Sequence, residues 1–413
     1  MDEFQYRGGA LACEGVPLSE LAESYGTPLY VYSEKSIRDR FQALDEAYAS
    51  IPHLICYAMK ANDNLAIVRL LAGLGAGSDI VSGGELFRAR QAGLPGNRII
   101  FAGVGKTATE IAQAIDEDVL LFNVESPAEL EAIAGVAKAK RRTARIAVRV
   151  NPDVDPHTHP YISTGLKKNK FGVAADRVLE VYRRARDDEF LEPVGIQMHI
   201  GSQLVHLQPV VDAVERVAEL FQRLRGEGIG LRYFDLGGGL GIRYRDEAPD
   251  GPTDLATRVL PTIRELGVTL LCEPGRFIVG NAGALLTRVV YRKENGAKTF
   301  VIVDAAMNDL IRPSLYDAHH EIWAAESADA REVVDVVGPI CESGDFFAHD
   351  RSLPVSESGD LLAIMSAGAY GFAMASTYNA RPRPAEVLVT GNQHRLVRRR
   401  ETYQDLIRAE EGL

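Results

Sequence analysis

Four stretches of this chain combine residue types that could do chemistry together: Lys60, His199, the run Gly237-Gly238-Gly239, and Glu273. Each stands at the end of a short apolar run. Leu54-Ile55-Cys56-Tyr57-Ala58-Met59 stops at Lys60, and an amine held where a buried strand ends is half desolvated, a setting that favours the free, nucleophilic form. Taken alone, such a lysine is an ordinary solvated residue closing a strand; the other stretches decide otherwise. Three consecutive glycines leave backbone N–H groups free to wrap an anion, and a phosphate suits them, although a glycine run by itself is as often a tight turn. The run is not a dinucleotide-binding fingerprint, because Gly237-Gly238-Gly239-Leu240-Gly241 lacks that spacing and occurs late in the chain. Glu273 directly follows a buried run, where an unpaired carboxylate is costly, so it needs a cationic partner such as a protonated ring nitrogen or Arg276. His199 on its own reads as a hydrogen-bonded core residue; beside the others it is a flat imidazole available for stacking.

An amine, a phosphate nest, a carboxylate and an imidazole together point to pyridoxal 5'-phosphate. Lys60 would form the Schiff base, the glycines would hold the phosphate, Glu273 would keep the ring nitrogen protonated and His199 would lie against the ring.

Those residues need a scaffold that brings distant positions together. From residue 54 onward, apolar runs at 54–59, 78–81, 98–102, 119–122, 145–150, 194–199, 231–236 and 269–272 alternate with helical stretches. Eight successive βα units have the size and rhythm of a TIM barrel, (β/α)8, although a doubly wound sheet shows the same alternation. The run ends carry the unusual residues: Lys60, Asp79 with Ser82, Gly103, Asn123, Arg149 with Asn151, His199 with Gly201 and Ser202, the glycine run, and Glu273-Pro274-Gly275-Arg276. In a barrel all eight ends meet at one mouth, whereas in an open sheet they form a line. One small-molecule site therefore favours the barrel.

The flanks read differently. Residues 1–33 hold short β-like pieces around a helical stretch from Pro17 to Tyr25, ending in the strand-like Pro28-Leu29-Tyr30-Val31-Tyr32. Ser33 then caps a helix whose apolar face is Ile37, Phe41, Leu44 and Tyr48. After about residue 281, strand-like runs at 299–304, 332–337, 361–365 and 385–390 suggest a C-terminal β-sandwich or β-barrel domain that also takes the N-terminal strands. The expected division is 36–281 for the cofactor-binding barrel and 1–35 with 282–413 for the β domain. A net charge of −11 argues against a nucleic-acid footprint. Cys13, Cys56, Cys272 and Cys341 have neither disulfide-framework nor metal-ligand spacing, so no metal is expected and a reduced, cytoplasmic setting is. The acidic N-terminus lacks a signal-like apolar stretch, and no run has the length of a membrane span.

The motifs YAMKAN (57–62), SDIVSGGEL (78–86), FAGVGK (101–106), RVNPDVDPHTHPYISTGLKKNKFG (149–172), HIGSQ (199–203), DLGGGLG (235–241), EPGR (273–276), VDAAMNDLIRPSLY (303–316), GPICESGD (338–345) and GAYGFAMASTYNARPRPAEVLV (368–389) resemble the diaminopimelate decarboxylases. These are alanine-racemase-like, fold type III pyridoxal-phosphate enzymes, and the resemblance runs from about residue 25 to 408. Two departures are visible: Ala306 where the family usually has glycine, and Ser366 where it usually has aspartate.

The resemblance implies that Lys60 carries the cofactor, that His199 stacks on it, and that Ser202, Gly239, Gly275 and Arg276 hold its phosphate, with Glu273 on the ring nitrogen. Asp79, Arg149, Gly237 and Gly238 complete the expected cofactor surroundings, and Tyr370 is similar to a residue near both cofactor and substrate. Arg276, Arg312 and Tyr316 resemble the residues that receive the distal end of the substrate, Glu342 would meet its distal amino group, and Cys341 is similar to the family's proton donor. Without the motif, Arg312 would be a solvated loop arginine and Cys341 a buried cysteine. In the family Cys341 and Glu342 reach the site from the partner subunit, which implies a homodimer with shared sites.

The expected reaction is decarboxylation of meso-2,6-diaminopimelate to L-lysine and CO2, the last step of lysine biosynthesis. A pair of arginines and a carboxylate can read a distal carboxylate and ammonium at once. The rivals are a related decarboxylase acting on another basic or carrier-bound amino acid, and a catalytically silent homologue that binds the cofactor and a partner protein. Intact motifs around Lys60 and Cys341 argue against the second.

Overall fold

The computed structural model describes residues 3–154, 170–296 and 298–412; the centre of the motif at 149–172 lies outside them. The chain divides into two compact units, one of Phe41–Ile242 with Ala248–Phe277, the other of Met1–Arg40, Arg243–Glu247 and Ile278–Leu413.

The first unit is a closed parallel barrel. Its strands are β1 His53–Ala58, β2 Gly77–Ile80, β3 Ile99–Phe101, β4 Leu121–Val124, β5 Ala144–Asn151, β6 Leu191–Met198, β7 Tyr233–Asp235 and β8 Thr269–Cys272. Each pairs in parallel with the next, and β8 returns to β1 through Leu270–His53, Leu271–Leu54 and Cys272–Ile55. Four helices start on a side-chain cap almost as soon as a strand has ended. Asn64, Ser82, Thr107 and Ser126 accept from the backbone N–H of Ala66, Glu85, Glu110 and Glu129, opening Leu65–Gly73, Gly83–Gln91, Ala108–Asp116 and Pro127–Lys140. Such caps contribute about 1 kcal/mol each and fix where each βα turn closes over the barrel mouth.

Strand alternation divides the barrel interior into layers. Cys56, Ile100, Leu121, Ala147 and Leu271 form an apolar plug, with Leu54 and Tyr233 packed against it. Two residues further along the same strand faces stand Asn123, Arg149 and Glu273, all buried. Passing from plug to mouth therefore changes apolar side chains for polar ones.

The second unit is strand-rich. Its long sheet runs in the order Phe346–Pro354, Arg331–Val337, Lys298–Val303, Gly283–Asn295, Leu29–Ser33, Ala385–Thr390, Gln393–Arg398. Leu29–Ser33 pairs antiparallel with Gly283–Asn295 and parallel with Ala385–Thr390, so an N-terminal strand lies in the middle of a C-terminal sheet, as expected. Its residues are all buried, which is why the run is apolar without alternation. Phe4–Arg7, Ala10–Cys13 and Val16–Pro17 form a separate three-stranded sheet, and Phe4, Leu11 and Val16 share one apolar cluster with Leu29, Val31, Leu286 and Val387. Among the described residues no helix is long and apolar enough to cross a membrane.

Candidate active site

Lys60 lies in the 3-10 turn Met59–Ala61 directly after β1. Since Ala58 pairs with Asp79 of β2, the lysine stands just above that aspartate, and its Nζ is 2.6 Å from Asp79 Oδ2. The lysine side chain is 41% exposed and Asp79 fully buried, so the amine is at the rim, oriented from below by a carboxylate. Lys106, in the loop after β3, is a second lysine close to this end among the described residues. It is fully buried, and its Nζ donates to the carbonyls of Gly103 and Asn123 and to Glu129 Oε1, which uses all three ammonium hydrogens. Lys106 ties loops together; Lys60 is the accessible amine.

Across the barrel, one amide bridges two acids. Asn123 Nδ2 on β4 donates to Glu273 Oε1 at 2.9 Å and to Asp235 Oδ2 at 3.2 Å, while Gln197 Nε2 on β6 reaches Glu273 Oε2 at 3.3 Å. β4 and β8 are not neighbours, so these bonds pass through the barrel interior. Burial, followed by the charges of Asp235 and Asp79, pushes the Glu273 carboxyl well up. Burial likewise raises Asp235 to about 6.

His199 follows β6. The N–H of Gly238 donates to its Nδ1 at 3.2 Å, which assigns the proton of the neutral ring to Nε2. Burial, then the charges of Arg149 and Lys60, holds its pKa well below the ordinary value; the ring is neutral at pH 7. Arg149 itself is engaged by Glu125, with Nη1 to Oε1 at 2.8 Å, and its guanidinium lies 4.7 Å from the Phe171 ring centre. Glu125 Oε2 also accepts the N–H of Gly172 at 2.8 Å. Arg149 is thus a brace between the ends of β4 and β5.

The glycines sit where no side chain would fit. A Cβ on Gly237 would lie 2.4 Å from the carbonyl oxygen of Met198, on Gly238 2.2 Å from that of Glu273, and on Gly239 2.4 Å from that of Gly201. Gly275 packs on Ala58 and Ala61, where a Cβ would come within 2.9 Å of Ala61. Gly237 and Gly239 have φ of +71° and +113°, a backbone that glycine adopts without strain. Beside this loop Arg276 Nη2 donates to Ser202 Oγ at 3.0 Å, adding a cation and a hydroxyl. The set fits pyridoxal phosphate: an anion nest, an accessible lysine, a neutral imidazole and a buried carboxyl. Buried acceptors Asp79 Oδ1, Asn123 Oδ1 and Gln197 Oε1 have no hydrogen-bond partner among the described residues.

The remaining expected residues belong to the strand-rich unit. Arg312 is buried, with its guanidinium 5.2 Å from the Tyr244 ring centre and 5.9 Å from that of Tyr316. Its Nε lies 3.4 Å from His320 Nε2, and Met365 O is 2.8 Å from His320 Nδ1. Cys341 is exposed rather than buried, and its N–H donates to Asn379 Oδ1 at 3.3 Å. Glu342, also exposed, accepts from the Tyr378 hydroxyl at 2.8 Å. Tyr370 has φ of +57°, a strained backbone for an aromatic residue.

Known proteins resemble this chain in sequence and fold. The pyridoxal binding domain of the pyridoxal-dependent decarboxylases matches residues 34–280. A diaminopimelate decarboxylase of Pseudomonas aeruginosa is 54% identical over 411 residues, covering 99% of both chains. This chain belongs to the diaminopimelate decarboxylase family. The crystal structure of the Helicobacter pylori diaminopimelate decarboxylase complexed with L-lysine matches with a TM-score of 0.93 at 47% identity, covering 96% of this chain and 100% of that one. The M. jannaschii diaminopimelate decarboxylase in co-complex with L-lysine matches with a TM-score of 0.95 at 42% identity, over 100% of this chain and 98% of that one. Family membership makes pyridoxal 5'-phosphate the cofactor.

Sequence reasoning did not assign Asp235, Gln197 or Glu125, and it named Asn123 only as the end of a run. Asp235 and Gln197 each precede an expected residue by two positions on the same strand face, and that offset was the available signal.

Proposed function

We infer that this chain decarboxylates meso-2,6-diaminopimelate to L-lysine and CO2 with pyridoxal 5'-phosphate. The observation that carries the reading is the accessible Lys60 amine on Asp79, at the strand ends of the same barrel that holds the buried Asn123–Glu273 pair, in a chain 54% identical along its length to a diaminopimelate decarboxylase. When bound, the cofactor supplies an electron-withdrawing ring that accepts the electron pair left as the carboxylate departs. Lys60 Nζ would be the amine that holds it covalently, through its aldehyde carbon. Asp79 orients that amine, and Glu273 keeps a proton on the ring nitrogen. His199, neutral, would lie against the ring, and the backbone of Gly237, Gly238, Gly239 and Gly275 with Ser202 and Arg276 would hold the phosphate. Arg149 shapes the pocket through Glu125.

Arg276, Arg312, Tyr316 and Tyr370 receive the distal carboxylate end of the substrate, Glu342 takes the distal ammonium, and the Cys341 thiol returns a proton to the reacting carbon. Exposure of Cys341 and Glu342 in the single chain supports a homodimer in which each subunit lends them to the other's site. The functional division we propose is 36–281 for cofactor binding, with 1–35 and 282–413 as the β domain, and the setting is the cytoplasm, which suits three buried free cysteines.

Turnover on a panel of meso-diaminopimelate, L-lysine and L-ornithine tests the assignment. A site built around a charged group rejects analogues lacking it by about 10⁴-fold, so only the first should be a good substrate. Equal kcat/KM on lysine or ornithine would overturn it.

A further inference from the structure

Two adjacent histidines in the strand-rich unit do different work. His319 is half-buried, with its Nε2 2.7 Å from Glu321 Oε1 and its Nδ1 3.1 Å from Arg351 Nη2. His320 is fully buried and faces Arg312. The short helix Arg312–Tyr316 ends at Asp317, whose φ of +52° turns the chain back, and the N–H of Ala318 donates to the Arg312 carbonyl at 3.4 Å. That reversal lays His320 against the arginine that opened the helix. Its backbone is pinned from several directions: the His320 carbonyl accepts from Arg351 Nη1 at 2.8 Å, the next carbonyl, of Glu321, accepts the N–H of Met365 at 2.8 Å, and Ile322 pairs antiparallel with Ile364.

Hydrogen-bond chemistry then fixes the ring. A carbonyl oxygen only accepts, so Nδ1, 2.8 Å from Met365 O, carries a hydrogen. A guanidinium only donates, so Nε2, 3.4 Å from Arg312 Nε, is bare. His320 is therefore a neutral imidazole whose acceptor nitrogen is aimed at Arg312. The Tyr244 ring stands at 83° to it with centroids 5.5 Å apart and lies 5.2 Å from the same guanidinium. Because Nε is engaged from the His320 side, a carboxylate gripped by two nitrogens of the fork must meet Nη1 and Nη2 end-on.

We propose that His320 is a positioning residue for substrate selection: its bare Nε2, held in place through the Met365 carbonyl, turns the Arg312 guanidinium so that Nη1 and Nη2 face the distal carboxylate. The inference rests on the reading that Arg312 receives that carboxylate. His320 acts through the arginine rather than on the substrate.

Two substitutions divide the ring's two bonds. An asparagine amide reaches about as far as Nδ1 and a glutamine amide about as far as Nε2, so His320→Asn keeps a donor for Met365 O and loses the acceptor for Arg312, while His320→Gln does the reverse. KM and kcat for meso-diaminopimelate are measured on the cofactor-loaded enzymes, together with the melting temperature and the inhibition constant of L-lysine, which has no distal carboxylate. His320→Asn should raise KM for meso-diaminopimelate about tenfold, with kcat and the L-lysine constant within about twofold of wild type. His320→Gln should keep the wild-type KM and melt at a lower temperature. If His320 only holds Met365, both losses fall on His320→Gln instead. Wild-type KM in His320→Asn, equal weakening of both ligands, or a KM raised equally in the two variants would overturn the proposal. Arg312→Leu separates this from a failure of the reading beneath it. An unchanged KM for meso-diaminopimelate in Arg312→Leu would show that Arg312 does not receive the carboxylate, whereas a raised KM there with wild-type KM in His320→Asn would refute the positioning role alone.

Discussion

Replacing Glu273 by Gln isolates what its charge does. The substitution keeps the volume, yet the two oxygens of Glu273 each accept from an amide, Asn123 at 2.9 Å and Gln197 at 3.3 Å. The new NH2 group faces Gln197 Nε2 unless Gln197 turns its Oε1, unpartnered among the described residues, to accept from it, so the cost in stability is at most about 1–3 kcal/mol. The larger effect is catalytic. Glutamine cannot hold a proton on the ring nitrogen, and losing one charge-assisted contact in a water-poor site raises the barrier by about 2–4 kcal/mol, roughly thirty- to a thousand-fold in rate. The assay is kcat at saturating meso-diaminopimelate, with the absorbance of bound cofactor recorded on the same sample to establish full loading. A fully loaded Glu273→Gln enzyme with unchanged kcat would refute the reasoning.

Other substitutions separate the remaining roles. Lys60→Ala should bind cofactor without the absorbance band of the covalent link and leave buried Asp79 without its cation; a retained band would transfer the link to another amine. Below pH 6.5 the unfolded chain protonates His199 while the folded ring, its pKa depressed, does not, so this residue makes folding stability fall with falling pH by up to about 1.4 kcal/mol per unit. His199→Asn should flatten that part of the urea-unfolding profile, and an identical slope would show that the ring is charged when folded. For the shared site, mixing Lys60→Ala and Cys341→Ala subunits should restore about a quarter of wild-type activity, since about half the dimers are mixed and each has one intact site of two; no recovery, with subunit exchange verified, would place each site within one chain.

What the sequence discloses follows from what controls each feature. Strand ends were legible because an apolar run must stop where the barrel opens, and Lys60, His199, the glycines and Glu273 all stand there. Boundaries were less so. The run at 119–122 becomes β4 at Leu121–Val124, because Val119 and Leu120 are buried outside the ladder, with the Leu120 N–H bonded to Gly96 O and Ile99 O; burial alone does not mark strand pairing. The run at 231–236 shortens to Tyr233–Asp235. Partnerships across the lumen, such as Asn123 with Glu273, depend on barrel closure and leave no local pattern. Arg149 stands among the expected cofactor surroundings, but its bond to Glu125, on the neighbouring strand end, leaves no mark in the sequence. Cys341, an apolar-looking residue by its neighbour Ile340, is exposed because it lies in a loop.

The most direct test supplies meso-2,6-diaminopimelate to the cofactor-loaded enzyme and quantifies CO2 and L-lysine together. Equimolar formation of both by the wild type, and neither by Lys60→Ala, is the predicted result. Cofactor loading with no CO2 release from this substrate would contradict the account.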